Sequence, residues 1–201
     1  MKVHTWEEAQ KWENDWWGDC ANTFNEELKQ LVYARKMGLS AYADYGKYPV
    51  YDLQKKSILD IGGGPVSLLL KCKNGSLKWV ADPCKYPQWI ADRYEEVGIT
   101  YQTTKGEELD KTFAQDIKFD EVWIYNVLQH TEDPQKIIDN AKKLGNLIRI
   151  FEWVDMPPEP GHPQVLTKAL LDGWLGGDGK VEELNENGCV GKAYYGIFPT
   201  V

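Results

Sequence analysis

The sequence predicts an α/β fold, a doubly wound and mostly parallel sheet with helices on both faces. Three observations predict it. Short apolar runs alternate with amphipathic stretches from residue 57 to residue 153, the β-α-β-α order that builds a parallel sheet under covering helices. A triple glycine, Gly62-Gly63-Gly64, follows the first of those runs and permits a tight turn with close approach of a ligand to the backbone. An acid, Asp82, ends the second run, at the carboxyl edge where such sheets hold their ligands.

Residues 1–50 differ in character from the rest and read as an N-terminal helical lid, with 51–201 as the main domain. Thr5 precedes the acidic turn Trp6-Glu7-Glu8, and Trp12 and Trp16 are spaced to share one helix face. Thr23 and Glu26 have capping-box spacing and open a second helix through Leu28, Leu31, Val32 and Ala34, stopping near Gly38. A tyrosine-rich loop follows, with Tyr42, Tyr45, Tyr48 and Tyr51.

The alternating region starts with a strand over Ser57–Ile61. A helix is expected over Val66–Lys73, closed by Asn74-Gly75. Leu77–Ala81 is the second strand, and Tyr86–Val97 a helix ended by Gly98. Ile99–Thr103 is the third strand and Glu107–Ala114 a helical turn or two. Phe119–Tyr125 is a strongly apolar fourth strand. Asp133 caps and Pro134 opens a helix to Leu144. Asn146–Trp153 is the fifth strand. Four prolines between 157 and 163 interrupt the pattern before a helix over Gln164–Leu175. Strands around Val181–Leu184 and Lys192–Phe198 flank Asn187-Gly188, a hairpin signal that makes them antiparallel.

The 201 residues suit one main core, with roughly 70% of the unfolded surface buried at this size. A formal net charge of −8 and the absence of any long basic run make nucleic acid a poor partner. The four cysteines and three histidines lack metal-ligand spacing. The thiols read as cytosolic, and the expected location is the cytoplasm. No apolar run reaches the ~20 residues needed to span a bilayer. The expected assembly is a monomer or homodimer.

The glycine turn can serve two cofactor classes. A dinucleotide site wants G-x-G-x-x-G/A facing a pyrophosphate. Here the frame from Gly62 ends on Ser67, and Pro65 removes a backbone donor. Asp60 stands two residues before the first glycine, and a carboxylate there suits a cationic ligand better than an anionic one. S-adenosylmethionine carries an ammonium and a sulfonium.

The segment Ile58–Gly64, the acid Asp82, the stretch Lys105–Leu109 and the run Phe119–Pro134 resemble the class I S-adenosylmethionine-dependent methyltransferases, over about residues 57–153. The closest branch contains the ubiquinone- and menaquinone-type enzymes and many small-molecule methyltransferases. Val66 replaces the family's common third glycine. The resemblance implies a Rossmann-like seven-stranded sheet with the last strand inserted antiparallel. It implies a cofactor, S-adenosyl-L-methionine, held by Asp60, Gly62, Gly63, Gly64, Asp82, Pro83, Gly106, Glu107, Asn126 and Val127. Asp82 would take the ribose and Asn126 would lie near the methionine part.

His130 and His162 are the candidate general bases, since an imidazole is poised near neutral pH. His130 has a structural or capping role as its alternative. Trp16, Trp17, Tyr45 and Trp153 are candidates to line the acceptor site, though Trp12 and Trp16 could simply dock the helix. Cys84 follows Asp82-Pro83, beside the adenosine and away from the methyl. No Asn/Asp-Pro-Pro-Tyr/Phe and no Pro-Cys follows the fourth strand, which disfavours methylation of the amino groups of adenine or glutamine and of cytosine C5. The fourth-strand region also lacks the paired acids of metal-dependent catechol enzymes. The expected activity is metal-independent methylation of a small-molecule or carbohydrate-like acceptor, on oxygen in preference to carbon or nitrogen. A nicotinamide-dependent oxidoreductase and a non-catalytic member that binds the cofactor or a partner protein are the rival readings.

Overall fold

The computed structural model describes residues 5–43, 49–114 and 116–200. Its elements are α1 (Trp6–Trp17), α2 (Phe24–Lys36), β1 (Ala41–Ala43), β2 (Val50–Asp52), β3 (Ser57–Ile61), β4 (Cys72–Lys73), β5 (Leu77–Asp82) and α3 (Gln88–Glu96). β6 (Thr100–Thr103), α4 (Leu109–Thr112), β7 (Glu121–Tyr125), α5 (Pro134–Leu144), β8 (Leu147–Trp153), α6 (Lys168–Leu175), β9 (Lys180–Glu186) and β10 (Cys189–Pro199) follow.

Seven strands form one sheet in the order β6-β5-β3-β7-β8-β10-β9. The first five are parallel, and β10 pairs antiparallel with both β8 and β9. The chain builds outward from β3 to β6 and then returns to β7 on the other side. That reversal makes the carboxyl ends of β3 and β7 the switch point where a crevice opens.

Alternation along each strand sorts the core into two layers. Leu59, Ile61, Val122, Ile124, Ile148 and Ile150 face α4, α5 and α6. Ile58, Trp123, Tyr125, Phe151 and Trp153 face α2 and α3. The register lines up Ala81, Ile61, Ile124 and Ile150 across four neighbouring strands. α2 places Val32, Tyr33 and Ala34 in the second layer, and Tyr33 rests on Phe151 with ring centroids 4.5 Å apart.

The structure departs from the expected elements in four places. Val66–Lys73 is not an α-helix but two 3-10 turns followed by β4. Side chains hold its backbone groups and replace the helical bonds. The Tyr94 hydroxyl donates to Gly64 O and accepts from Ser67 N, Tyr125 Oη accepts from Leu68 N, and Ser67 Oγ accepts from Leu69 N. Arg93 donates to Pro65 O and Gln30 to Val66 O. Tyr51 does not lie in a loop: β1, β2 and β4 form a separate three-stranded sheet. The second helix opens without a side-chain cap, because the Thr23 hydroxyl donates to Glu27 Oε1 at 2.8 Å. The last helix begins at Lys168, capped by Thr167. Gln164 instead ties the preceding loop to Gln129 O and Thr131 O.

At the amino-terminal side of the parallel strands, Glu121 is buried but fully engaged. It accepts from Arg149 Nε at 2.6 Å and Nη2 at 3.0 Å, from Lys56 Nζ at 2.7 Å and from Trp123 Nε1 at 2.9 Å. Burial alone would raise its pKa, but these partners hold it at about 2. Arg149 also donates to Met37 O at 2.7 Å, joining the end of α2 to the sheet. Removing one partner of such a pair typically costs about 3–5 kcal/mol. Lys56 remains to Glu121, so Arg149→Met should lower unfolding free energy by about 2 kcal/mol or more. Because the carboxylate's stabilisation is present above its ordinary pKa and is lost as pH falls toward 2, the wild type and variant should converge in acid. Urea unfolding at pH 7 and at pH 3 checks both statements.

Candidate functional site

A cavity lies at the carboxyl ends of β3, β5, β6 and β7, the edge where a doubly wound sheet holds its ligands. Its floor is Gly62–Gly64, Asp82–Cys84, Gly106, Glu107 and Asn126–Val127, with His130 and Thr131 at one side. Its roof is Trp6, Gln10, Glu13 and Trp17. These four recur at helical spacing and so share one face of α1. Thr5 and Glu8 form a reciprocal capping box that fixes the start of this helix. Glu26 and Gln30 bring α2 to the same cavity.

The glycine turn is sterically required. A β-carbon on Gly62 would stand 2.5 Å from Val127 Cγ2, and the residue has φ +72°. One on Gly63 would stand 2.7 Å from Asp60 Oδ2. Asp60 lies behind this turn, fully buried. Its Oδ2 accepts from the Ser67 and Tyr125 hydroxyls, both at 2.5 Å, while Oδ1 has no partner. Burial raises its pKa to about 7 despite those two donors. Asp82 accepts from Gly64 N at 3.0 Å and Cys84 N at 2.9 Å. Burial pushes it to about 6.

Glu107 reaches across to the next loop and accepts from Glu132 N and Asp133 N, both at 3.1 Å. Asn126 has φ +58°, and its Oδ1 accepts from Gln129. Glu152, fully buried beneath, accepts from Val127 N and Leu128 N at 3.1 Å. Its pKa is raised to about 8, chiefly by burial. His130 Nδ1 lies 2.7 Å from Gly161 O and 2.9 Å from Glu13 Oε1. Burial would lower the imidazole's pKa, but the Glu13 carboxylate outweighs it and the net shift is upward. His162 packs edge-on against His130 with centroids 4.5 Å apart. Burial and the neighbouring imidazole lower its pKa.

The expected site residues thus divide. Gly62, Gly63, Gly64, Asp82, Pro83, Gly106, Glu107, Asn126, Val127, His130 and Trp17 all line the cavity. Asp60 does not, because its side chain points into the layer beneath the turn and is consumed by Ser67 and Tyr125. Trp16 is 58% exposed and stacks on Trp12 at 5.3 Å, outside the cavity lining. Trp153 packs in the core against Phe151. His162 is one ring removed, behind His130. Tyr45 lies outside the described residues. The sequence reading missed Glu13 and Glu152. The spacing of Trp6, Gln10, Glu13 and Trp17 held the signal for the first, and an acid inside the apolar run Leu147–Trp153 held it for the second.

Glu13, Glu26, Asp82 and Glu107 give the lining four acids, with no Lys or Arg. Such a lining favours a cationic ligand and opposes a phosphate. Among the described residues no group of His, Cys, Asp and Glu is placed to hold a metal ion. No helix of the described residues is long and apolar enough to cross a membrane.

Comparison with known proteins gives the fold its class. The sequence matches no protein-family model and no curated protein. Solved structures do match. Magnesium protoporphyrin IX methyltransferase (ChlM) from Synechocystis PCC 6803, with bound SAM, is 15% identical over 90% of this chain and 87% of its own, with a TM-score of 0.56. N-methyltransferase NodS from Bradyrhizobium japonicum WM9, in complex with S-adenosyl-L-homocysteine, is 16% identical over 96% and 95%, with a TM-score of 0.54. The DhpI–SAH complex is 12% identical over 99% and 98%, with a TM-score of 0.63. The chain has the fold of the class I S-adenosylmethionine-dependent methyltransferases.

Gly62→Ala should disrupt the floor through both the positive φ and the Val127 contact. Each effect costs about 1–3 kcal/mol. Thermal unfolding should show the loss, and adding Val127→Ala to the same chain should recover part of it.

Proposed function

We propose that this chain is an S-adenosylmethionine-dependent methyltransferase acting on a small-molecule acceptor, with oxygen as the preferred target atom and a carbohydrate-like acceptor within its range. The observation that carries the reading is the acidic cavity on the glycine turn. Four carboxylates and no lysine or arginine line it, and the backbone of Gly62–Gly64 forms part of its floor. The cationic S-adenosylmethionine fits this lining, and a dinucleotide pyrophosphate does not. The absence of a long helix after Gly64 also removes the dipole a pyrophosphate would use.

Gly62–Gly64, Asp82, Pro83, Gly106, Asn126 and Val127 would hold the cofactor, with Asp82 toward the ribose. Asp60 serves indirectly, by fixing the turn. When bound, the cofactor supplies a methyl group on an electrophilic sulfonium. The protein orients the acceptor and excludes water, which α1 does as the roof. His130 is the group proposed to take the acceptor's proton, with His162 packed behind it.

Calorimetric titration tests the reading. S-adenosylhomocysteine should bind and NAD should give no heat; the reverse would overturn it. The same titration carries a sign. Burial holds Asp82 at about 6 in the free protein, and ribose hydroxyls donating to its carboxylate would lower that value. S-adenosylhomocysteine binding at pH 6.5, compared in two buffers of different ionisation enthalpy, should therefore release protons.

A further inference from the structure

Glu13 lies on α1, yet its contacts belong to the loop after β7. Its Oε1 is 2.9 Å from His130 Nδ1, and its Oε2 accepts from Trp17 Nε1 at 3.1 Å, one turn along the same helix. The indole therefore fixes the carboxylate's orientation. The second acceptor at His130 Nδ1 is Gly161 O, at 2.7 Å. Two acceptors and no donor surround Nδ1, so that nitrogen carries a proton in every protonation state. Nε2 is left as the nitrogen that titrates. It lies 3.2 Å from Gln129 Nε2, an amide that also donates to Asn126 Oδ1.

We propose that Glu13 is a positioning residue for His130. It fixes the proton on Nδ1, leaves Nε2 to receive the acceptor's proton, and does so only when α1 is seated over the cavity. The role rests on the reading of His130 as the proton acceptor. α1 contributes twice, because Trp12 covers Gly161 so closely that a β-carbon there would lie 2.7 Å from its ring. The roof helix thus holds both acceptors of the Nδ1 proton. Closing the cavity and preparing the base become one event, so that the base is not set while water has free access.

The other titratable groups around His130 fit this arrangement. His162 packs against it from the loop after β8, and its own Nδ1 lies 2.7 Å from Glu159 Oε1. Glu152 sits below on β8, engaged with Val127 N and Leu128 N. Glu13 is thus the one carboxylate in direct contact with the His130 ring among the described residues. Its own pKa is lowered: burial opposes that shift, but the His130 charge outweighs it.

Long-range proton–nitrogen NMR of the full chain reads this directly, with His130→Asn and His162→Asn spectra assigning the rings. Wild-type His130 should be protonated at Nδ1 when neutral, with a titration midpoint above that of an ordinary imidazole. Glu13→Gln should keep the tautomer through Gly161 O and lower the midpoint by about one pH unit or more. Glu13→Asp, which keeps the charge, should retain most of the wild-type value and guards against a general loosening of α1. An unchanged midpoint in Glu13→Gln, or a neutral ring protonated at Nε2, overturns the proposal. Calorimetry with S-adenosylhomocysteine on the same samples separates it from the cofactor reading. Failure of that ligand to bind, with the midpoint shift intact, sinks the cofactor assignment and leaves the Glu13–His130 coupling standing.

Discussion

The carboxyl group of Asp60 ties β3, β7 and the glycine turn together in a place that water does not reach. Its Oδ2 takes hydrogen bonds from Tyr125 on β7 and from Ser67 beyond the turn. A buried carboxyl group without such donors would be costly, so the surrounding chain is arranged around it. Tyr125 in turn accepts from Leu68 N, and Tyr94 bridges Gly64 O and Ser67 N. The usual strand–turn–helix becomes a strand–turn–coil segment whose polar groups are satisfied by side chains from α2, α3 and β7. The floor of the cavity depends on this set of bonds. Gly62 and Gly63 complete it, because no side chain would fit between the turn and Val127 or Asp60.

Charge is distributed unevenly along the strand axis. The amino-terminal side holds its buried acid, Glu121, in a closed cluster with Arg149 and Lys56. At the carboxyl side, Asp60, Asp82 and Glu152 have no lysine or arginine partner and are raised toward neutrality by burial. Paired charges are structural cement, whereas unpaired buried acids mark the places where a fold keeps a site at the expense of stability. The two ends of one sheet therefore serve different purposes.

The matched structures share this sheet and differ in what they act on by their own descriptions, so fold alone does not select an acceptor. The roof is where this chain adds its own chemistry. One face of α1 presents two indoles, an amide and a carboxylate to the cavity, and that carboxylate meets His130. Beside that face Trp12 packs over Gly161, and the exposed Trp16 stacks on it.

A mostly parallel sheet and an antiparallel pairing of its last two strands were legible in the sequence, while the seven-strand order with an inserted last strand was implied by the resemblance. Apolar period, glycine turns and the Asn187-Gly188 hairpin are local signals, and local signals survive in one dimension. The cavity floor was legible too, since Asp82 ends a strand and Gly62–Gly64, Gly106 and Asn126 follow strands, and strand ends converge in any doubly wound sheet. Tertiary contacts settled which of the remaining polar and aromatic candidates face the cavity. Asp60 turned inward because Ser67 and Tyr125, seven and 65 residues away, offered it hydrogen bonds. Trp153 was drawn into the core by Phe151, and Trp16 was left outside by the rotation of α1 that put Glu13 against His130. The helix expected after Gly64 was lost because hydroxyls from distant elements satisfied its backbone more fully than its own turns. Long-range hydrogen bonding of buried groups made those choices, and no spacing along the chain encodes it.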